Sequence, residues 1–128
     1  MNLSEFNPTY LHCNAGEHCI VAEFTCPSLT EDENIEQIGV ELFTLLDKYL
    51  AENIVVDMRQ VEYITSSVIG KLITLHRRLR RVDGRMILCE LTTCVEEILR
   101  NSRLIDYFET ASSLNDALGM LEHSPNAN

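Results

Sequence analysis

A short run of apolar, mostly β-branched residues in the middle of the chain most constrains its fold. Residues 53–58 are NIVVDM, and the run leaves almost no polar side chain for a solvent-facing side of a strand. Such a run is typical of a strand covered on both faces, as in the parallel sheets of α/β proteins. RMILCEL at 85–91 has the same character. Because parallel strands need a crossover connection, a helix is expected between these two segments.

Apolar residues recur at three- and four-residue spacing between the predicted strands, which indicates amphipathic helices. Strands are predicted at 10–14, 18–25, 53–58, 85–91 and 106–110. Helices are predicted from Thr30 or Asp32 over about 20 residues, from Ser66 to Val82, from Thr92 or Thr93, and from Ser113. The order β-β-α-β-α-β-α-β-α predicts one small α/β domain over 1–122, with a mixed, mostly parallel sheet of four to five strands and about four helices. Residues 123–128 are predicted to be a flexible tail.

The charge of the chain argues against a nucleic-acid binder. It has 20 acidic residues against 10 Lys and Arg, a formal net charge of −10, whereas affinity for phosphate backbones comes largely from cations. The apolar content of 45 % is enough for a core in a chain of 128 residues. The apolar runs are far shorter than the roughly 20 residues that span a bilayer, and the first residues do not resemble a secretory leader. We therefore expect a cytoplasmic protein that contacts neither nucleic acid nor membrane.

The segment LHCNAGEHC at 11–19 has the residue types of a metal site. A turn at 14–17 would pair Cys13 with His18 and His12 with Cys19. Side chains alternate faces along a strand, so these two pairs would point to opposite sides of the sheet and could not converge on one ion. An ordinary hairpin without metal is predicted. The five cysteines of the chain are an odd number, and we expect reduced thiols.

Three consecutive hydroxyls, Thr65, Ser66 and Ser67, stand between a strand-like segment and the second predicted helix. We expect one of them to cap the helix by accepting a bond from a free backbone N–H. The other two have no structural assignment, and the carboxyl edge of the sheet should leave them exposed. A phosphate there would meet free N–H groups and a positive dipole end. It would add about −1.5 to −2 charges and would expel a docked partner, so the triplet predicts a switch.

A serine-dependent enzyme is the less favoured interpretation of the triplet. Ile64 and Val68 stand where the G-x-S-x-G elbow requires glycine. His76 is about 15 Å from Ser66 along the helix, too far to accept its proton. No glycine-rich phosphate loop is found. We expect no enzymatic activity, no catalytic residue and no cofactor.

The basic run HRRLRRVDGR at 76–85 allows two interpretations. The favoured one is a solvated helix end whose cations face the negative end of the dipole. A contact for an acidic partner stays open.

The central segment IVVDMRQVEYITSSVIGKLITLHRRLRRVDGRMILCEL resembles the STAS domain, the family of anti-sigma factor antagonists and sulfate-transporter tails. Asp57 matches the acidic position that ends the family's strand. Ser66 matches the serine that family antagonists present to a kinase, Ser67 the next hydroxyl, and Gly70 the second glycine. The later text SRLIDYFETASSLNDAL also resembles the family, so the resemblance covers about 53–118.

The resemblance implies a binding module without catalysis of its own. Its unphosphorylated form would bind an ATP-using serine kinase-type anti-sigma factor and so release a sigma factor. Phosphorylation of Ser66, with Ser67 as second choice, would break the complex, and a serine phosphatase would restore it. The partner-binding residues would be Thr65, Ser66, Ser67, Val68 and Lys71. A homodimer stays open.

Two residues depart from the family pattern at the proposed site. Thr65 replaces the usual Asp and removes a charge beside the phosphoacceptor. Val68 replaces a glycine that would allow close backbone approach. These departures favour the alternative function, a STAS scaffold that binds its partners in a signalling or transport assembly without being phosphorylated.

Overall fold

A computed structural model describes residues 2–17, 19–29 and 32–122. The predicted helix cap Thr30, the candidate ligand His18 and the predicted tail 123–128 lie outside them, as does the side chain of Asp32. No helix of the described part is long and apolar enough to cross a membrane.

Five of the seven strands in the described residues form one mixed sheet, and four helices surround it. The strands are β1 (Leu11–Ala15), β2 (Ile20–Phe24), β3 (Ser28–Leu29), β4 (Asn53–Asp57), β5 (Tyr63–Ile64), β6 (Arg85–Cys89) and β7 (Glu109–Ala111). The helices are α1 (Asp32–Asp47), α2 (Ser66–Arg81), α3 (Thr93–Asn101) and α4 (Leu114–Glu122). The sheet order is β1-β2-β4-β6-β7, with only β1 antiparallel to its neighbour, and β3 pairs with β5 separately. The predicted fold class is confirmed.

The central strand β4 is buried on both faces, as its composition predicted. Ile54 and Val56 belong to the main core, which α1 and α2 cover. Val55 faces the opposite side and packs in a smaller cluster with Ala117 and Leu121 of α4. The apolar run therefore arises because helices lie on both sides of this strand.

The register predicted for the first hairpin is wrong. Ala15 pairs with Ile20, and Cys13 lies opposite Ala22 and not opposite residue 18. In the observed register Leu11 pairs with Phe24, and both side chains are buried in the main core. The observed register thus gives Phe24 a partner on β1, whereas the predicted register left Phe24 without one.

The last predicted strand begins later than expected. Residues 106–108 form a turn, because the N–H groups of Tyr107 and Phe108 both donate to the carbonyl of Leu104. Pairing with β6 starts only at Glu109, which lies opposite Ile87.

A buried carboxylate fixes the N-terminal segment on α1. Glu41 is 2 % exposed and accepts hydrogen bonds from the backbone N–H groups of Thr9 and Tyr10 and from the amide of Gln37. These three donors replace the water that the carboxylate loses on burial.

Gly84 provides a direct test of the packing between the turn that joins α2 to β6 and the segment that precedes β4. A Cβ at this position would lie 2.1 Å from the carbonyl oxygen of Glu52, whereas one at Gly119 in α4 would meet nothing within 4 Å. We expect Gly84→Ala to lower the free energy of unfolding by about 1–3 kcal/mol, and Gly119→Ala to raise it by about 0.5–1 kcal/mol. Urea unfolding of both variants measures this, and equal effects would contradict the packing.

His76 is 3 % exposed on α2, and its ring meets those of Tyr107 and Phe108 edge-on. Its Nδ1 is buried without a hydrogen-bond partner in the described part of the chain. Burial, followed by the nearby Arg80 guanidinium, lowers the pKa of His76 from its ordinary value of 6.5, and Glu109 opposes this shift. The folded protein therefore holds His76 neutral.

This histidine should make stability depend on pH. As pH falls below about 6.5, the unfolded chain takes up a proton that the folded chain refuses, so the free energy of unfolding declines until the lower folded-state pKa is reached. Urea unfolding between about pH 8 and pH 5 should show a smaller decline for His76→Phe than for the wild type. His12→Asn, which alters an exposed histidine, should retain the wild-type decline. An unchanged decline in His76→Phe would contradict the assignment.

Candidate functional site

The chain that leads to the hydroxyl triplet is fixed by two neighbouring segments. β5 pairs with β3, and the N–H groups of Glu62 and Tyr63 both donate to the carbonyl of Pro27. The Thr92 hydroxyl donates to the carbonyl of Val61 at 2.8 Å. The start of α2 is therefore held in place before any partner binds.

An ion pair stabilises the turn after β4. Asp57 is 2 % exposed, and one of its oxygens accepts from the backbone N–H and Nε of Arg59 at 3.0 and 3.1 Å. Arg59 Nη2 lies 2.9 Å from Asp57 and 3.5 Å from Glu90. The hydrogen bond to Asp57 is the main reason why the pKa of Arg59 is raised. Asp57, the acidic position of the resemblance, thus orders the loop that precedes α2.

The thiols of the sheet are unsuited to nucleophilic chemistry. Burial, and then the charges of Asp57 and Glu90, raise the pKa of Cys89 to about 12. Burial and Glu41 raise that of Cys13 to about 12. These thiols stay protonated at neutral pH, whereas the reactive form is the thiolate. Among the described residues, no group of three or more His, Cys, Asp or Glu could hold a metal ion.

The side-chain cap predicted for the triplet is absent at Thr65, the residue at the N-cap position of α2. Thr65 is the N-cap residue of α2, with extended backbone angles of φ −99° and ψ 169°, but its side chain makes no capping bond. The Oγ1 atom is instead buried and has no hydrogen-bond partner in the described residues. The hydroxyl faces the interior, so the N–H groups of the first turn are not occupied by it.

Ser66 and Ser67 are exposed at the first two positions of α2. The first intrahelical bond is donated by Ile69 to the carbonyl of Thr65, so the N–H groups of Ser66, Ser67 and Val68 precede the hydrogen-bonded turns. The first turn contains no acidic residue. An anion on either serine would meet free donors, the positive end of the dipole and no like charge within the turn.

Val68, predicted to bind the partner, is 0 % exposed and belongs to the core. Helical spacing places it on the same face as Leu72 and Leu75, which are also fully buried. A partner therefore cannot contact its side chain in this conformation, and the prediction for Val68 is corrected. The branched side chain that replaces the family glycine fills the core and leaves the approach to the serines open.

Lys71 lies one turn beyond Ser67, in a groove between α1 and α2. Its Nζ is 3.7 Å from Glu36, and its side chain is 28 % exposed. A Cβ on Gly39 would come within 3.0–3.3 Å of the Lys71 side chain, so this glycine makes room for the lysine. Ser67 and Lys71 line the same groove, and sequence reasoning missed both Glu36 and Gly39 as neighbours of the site.

The STAS domain family matches residues 20–117, most of the chain. The chain belongs to the STAS domain family. The match extends the resemblance, which the sequence analysis found at 53–118, back to the start of β2. BtrV of Bordetella bronchiseptica, a candidate anti-sigma factor antagonist, is 32 % identical over 80 residues, which cover 62 % of this chain and 68 % of BtrV. The predicted resemblance to anti-sigma factor antagonists is confirmed.

Solved structures of such proteins share the fold of this STAS domain. A candidate anti-sigma factor antagonist from Thermotoga maritima superposes with a TM-score of 0.77 at 15 % identity, covering 88 % of this chain and 95 % of that one. Unphosphorylated SpoIIAA, an anti-sigma factor antagonist, gives 0.74 at 19 % identity, covering 89 % and 97 %. Phosphorylated SpoIIAA of Bacillus gives 0.66 at 19 % identity, covering 87 % and 98 %.

The interior position of the Thr65 hydroxyl predicts an unusual mutational result. Thr65→Val replaces an unpartnered buried oxygen by a methyl group, so the free energy of unfolding should be unchanged or rise by up to about 2 kcal/mol. Thr92→Val is the matched control, because the Thr92 hydroxyl accepts from the N–H of Val95 and caps α3. The control also loses the hydrogen bond to the Val61 carbonyl, so it should lose about 1–3 kcal/mol in urea unfolding. A similar loss in Thr65→Val would mean that Thr65 caps α2 after all.

Proposed function

We propose that this STAS domain is an anti-sigma factor antagonist that binds a serine kinase-type anti-sigma factor through the surface around Ser66. The kinase would transfer the γ-phosphoryl group of ATP to Ser66 Oγ, with loss of the hydroxyl proton and release of ADP, and this would end the complex. A serine phosphatase would restore the binding form. The chain itself performs no catalysis in this scheme.

The exposure of Ser66 at the start of a rigidly held helix is the observation that carries the proposal. The ties from Pro27 and Thr92 position the preceding segment, so the hydroxyl is presented at a fixed place. Ser67 follows Ser66 in the same helical turn, and the half-exposed Tyr63 precedes it by three residues in the chain. An aromatic side chain next to small polar residues provides apolar contact area for a partner at low entropic cost.

The electrostatics of this edge support a switch based on charge. The unphosphorylated start of α2 carries no acidic side chain in its first turn, so a partner can cover it without burying an unpaired charge. Phosphorylation would add about −1.5 to −2 charges. Covering those charges would cost several kcal/mol unless the partner supplied cations. The domain itself would tolerate the phosphate because of the open N–H groups of the helix start.

The partner surface differs from the one predicted from the sequence in two of its five residues. Ser66, Ser67 and Lys71 remain candidates because each has exposed side-chain atoms. Val68 is withdrawn because it is buried, and Thr65 would contribute only through its backbone and the part of its side chain that is not enclosed.

A scaffold that is not phosphorylated is the second candidate. The replacement of the family Asp by Thr65 favours it, because Thr65 turns its oxygen inward and brings no charge to the phosphoacceptor. A STAS-fold neighbour at a TM-score of 0.66 comes from the stressosome, described as a signal integration and transduction hub. In such an assembly the same exposed edge would serve as a constant contact.

Phosphate mapping separates the two candidates. Purified chain is incubated with ATP and each serine kinase-type anti-sigma factor encoded in the source genome, and the modified residue is identified by mass spectrometry. We expect one phosphate, on Ser66. Ser66→Ala should abolish it, and the matched variant Ser67→Ala should retain it.

Binding assays with the same kinases test the switch. Ser66→Asp should weaken binding by at least about tenfold, or about 1.4 kcal/mol, because it places a charge in the interface. Ser66→Ala should bind within about twofold of the wild type. Equal affinities for both variants would favour the scaffold. Absence of both phosphorylation and binding for every such kinase would refute the antagonist function.

A further inference from the structure

Gly70 lies in the second turn of α2, on the helix face that carries Ser66. Residues four apart in a helix are neighbours on its surface, with Cβ atoms about 5–6 Å from each other. Gly70 is exposed and lines the groove between α1 and α2 together with Ser67 and Lys71. A partner that packs around Ser66 therefore comes close to Gly70.

Nothing inside the domain requires glycine at residue 70. No glycine of the described residues has a positive φ, so the backbone of Gly70 suits other residues as well. A Cβ on Gly70 would meet nothing within 4 Å beyond its own stretch of helix. Gly39, across the groove, is the opposite case, because a Cβ there would come within 3.0–3.3 Å of the Lys71 side chain. Packing within the domain explains Gly39 and does not explain Gly70.

Glycine in the interior of a helix lowers stability, because it loses more backbone freedom on folding than any other residue. Alanine is the most favourable residue in the same place. Gly119 of α4 has equally open surroundings, so an open helical glycine does not by itself indicate a partner. Gly70 differs from Gly119 in its position, one helical turn from the serine that a kinase would have to reach.

The missing side chain leaves the main chain of α2 uncovered beside Ser66. The long side chain of Lys71 extends to α1, where its Nζ lies 3.7 Å from Glu36. Thr74, one turn further along α2, is small and exposed, and its hydroxyl donates to the carbonyl of Gly70 at 3.0 Å. The surface next to Ser66 is therefore a recess with main-chain atoms on its floor.

We infer, on the basis of the proposed function, that Gly70 is a specificity-determining residue of the kinase interface. The absence of a Cβ admits a main-chain segment of the kinase-type anti-sigma factor into the recess beside Ser66. A side chain at residue 70 would fill the recess and hold the kinase away from the serine. Because the Gly70 carbonyl already accepts from Thr74, the contact is one of close packing and needs no hydrogen bond to the partner.

Gly70→Ala should change stability and binding in opposite directions. Alanine fits the open space and favours the helix, so the midpoint of thermal unfolding should rise by about 2–4 °C. Affinity for the kinase that binds the wild type should fall at least about tenfold, because the methyl group enters the recess. Gly70→Leu, which also favours a helix, should weaken binding more than about a hundredfold. The matched control Gly119→Ala should show a similar rise in the midpoint and bind within about twofold of the wild type.

The kinetics of phosphorylation separate packing from chemistry. Gly70 lies one turn from the acceptor hydroxyl and supplies no atom to the reaction. Gly70→Ala should therefore raise the KM of the kinase for this chain by about tenfold and leave kcat within about twofold. Ser66→Ala, which removes the acceptor, should instead abolish phosphate transfer and retain binding.

Failure of the wild type to bind any such kinase would refute the proposed function and, with it, the role of Gly70. Three other results would overturn the role of Gly70 alone. The first is binding of Gly70→Ala within about twofold of the wild type. The second is an equal loss of affinity in Gly119→Ala, because added helix stability would then be the cause. The third is a lower unfolding midpoint for Gly70→Ala, which would mean that the domain itself requires glycine there.

Discussion

Burial of β4 between β2 and β6 is the constraint on which the site depends. A strand covered on both faces must leave the sheet at its carboxyl edge, where the next segment turns back toward the helix layer. The ion pair of Asp57 and Arg59 orders that turn, and the bonds from Thr92 and to Pro27 hold the segment after it. α2 consequently begins at one defined place, with Ser66 outside and Val68 inside. Loss of this order would separate the serine from the surface that we propose a partner recognises.

Strong periodic patterns made the fold and the location of the site predictable. β4, α2 and β6 lie close to their predicted bounds because each has a long apolar period or an unbroken apolar run. β3 and β5 have two residues each, too few for any period. The observed hairpin register leaves Leu11 and Ile20 on one face, as the predicted register did, so the apolar pattern could not choose between the two.

The directions in which the side chains of the site point were harder to predict than the location of the site. Nothing in the residue types shows that the Thr65 hydroxyl turns inward, because a threonine at an N-cap normally accepts a backbone bond. The burial of Val68 had a signal: positions 68, 72, 75 and 79 repeat at helical spacing, and all four are fully buried. The family resemblance suggested position 68 as part of the partner surface, although this helical period is typical of a core position. The contacts of Glu36 and Gly39 with Lys71 depend on how α1 crosses α2, which a single sequence does not encode in any short pattern.

The central claim is that phosphate at residue 66 changes the surface charge of a domain whose fold stays the same. The most direct test is the ¹H–¹⁵N spectrum of the chain with phosphoserine incorporated at position 66, compared with that of the unmodified chain. We expect the amide shifts to change at the start of α2 and in the segments that contact it, and the residues of β4 and β6 to keep their shifts. Changes spread through the sheet and the core would contradict the central claim, because they would mean that phosphorylation acts by altering the fold.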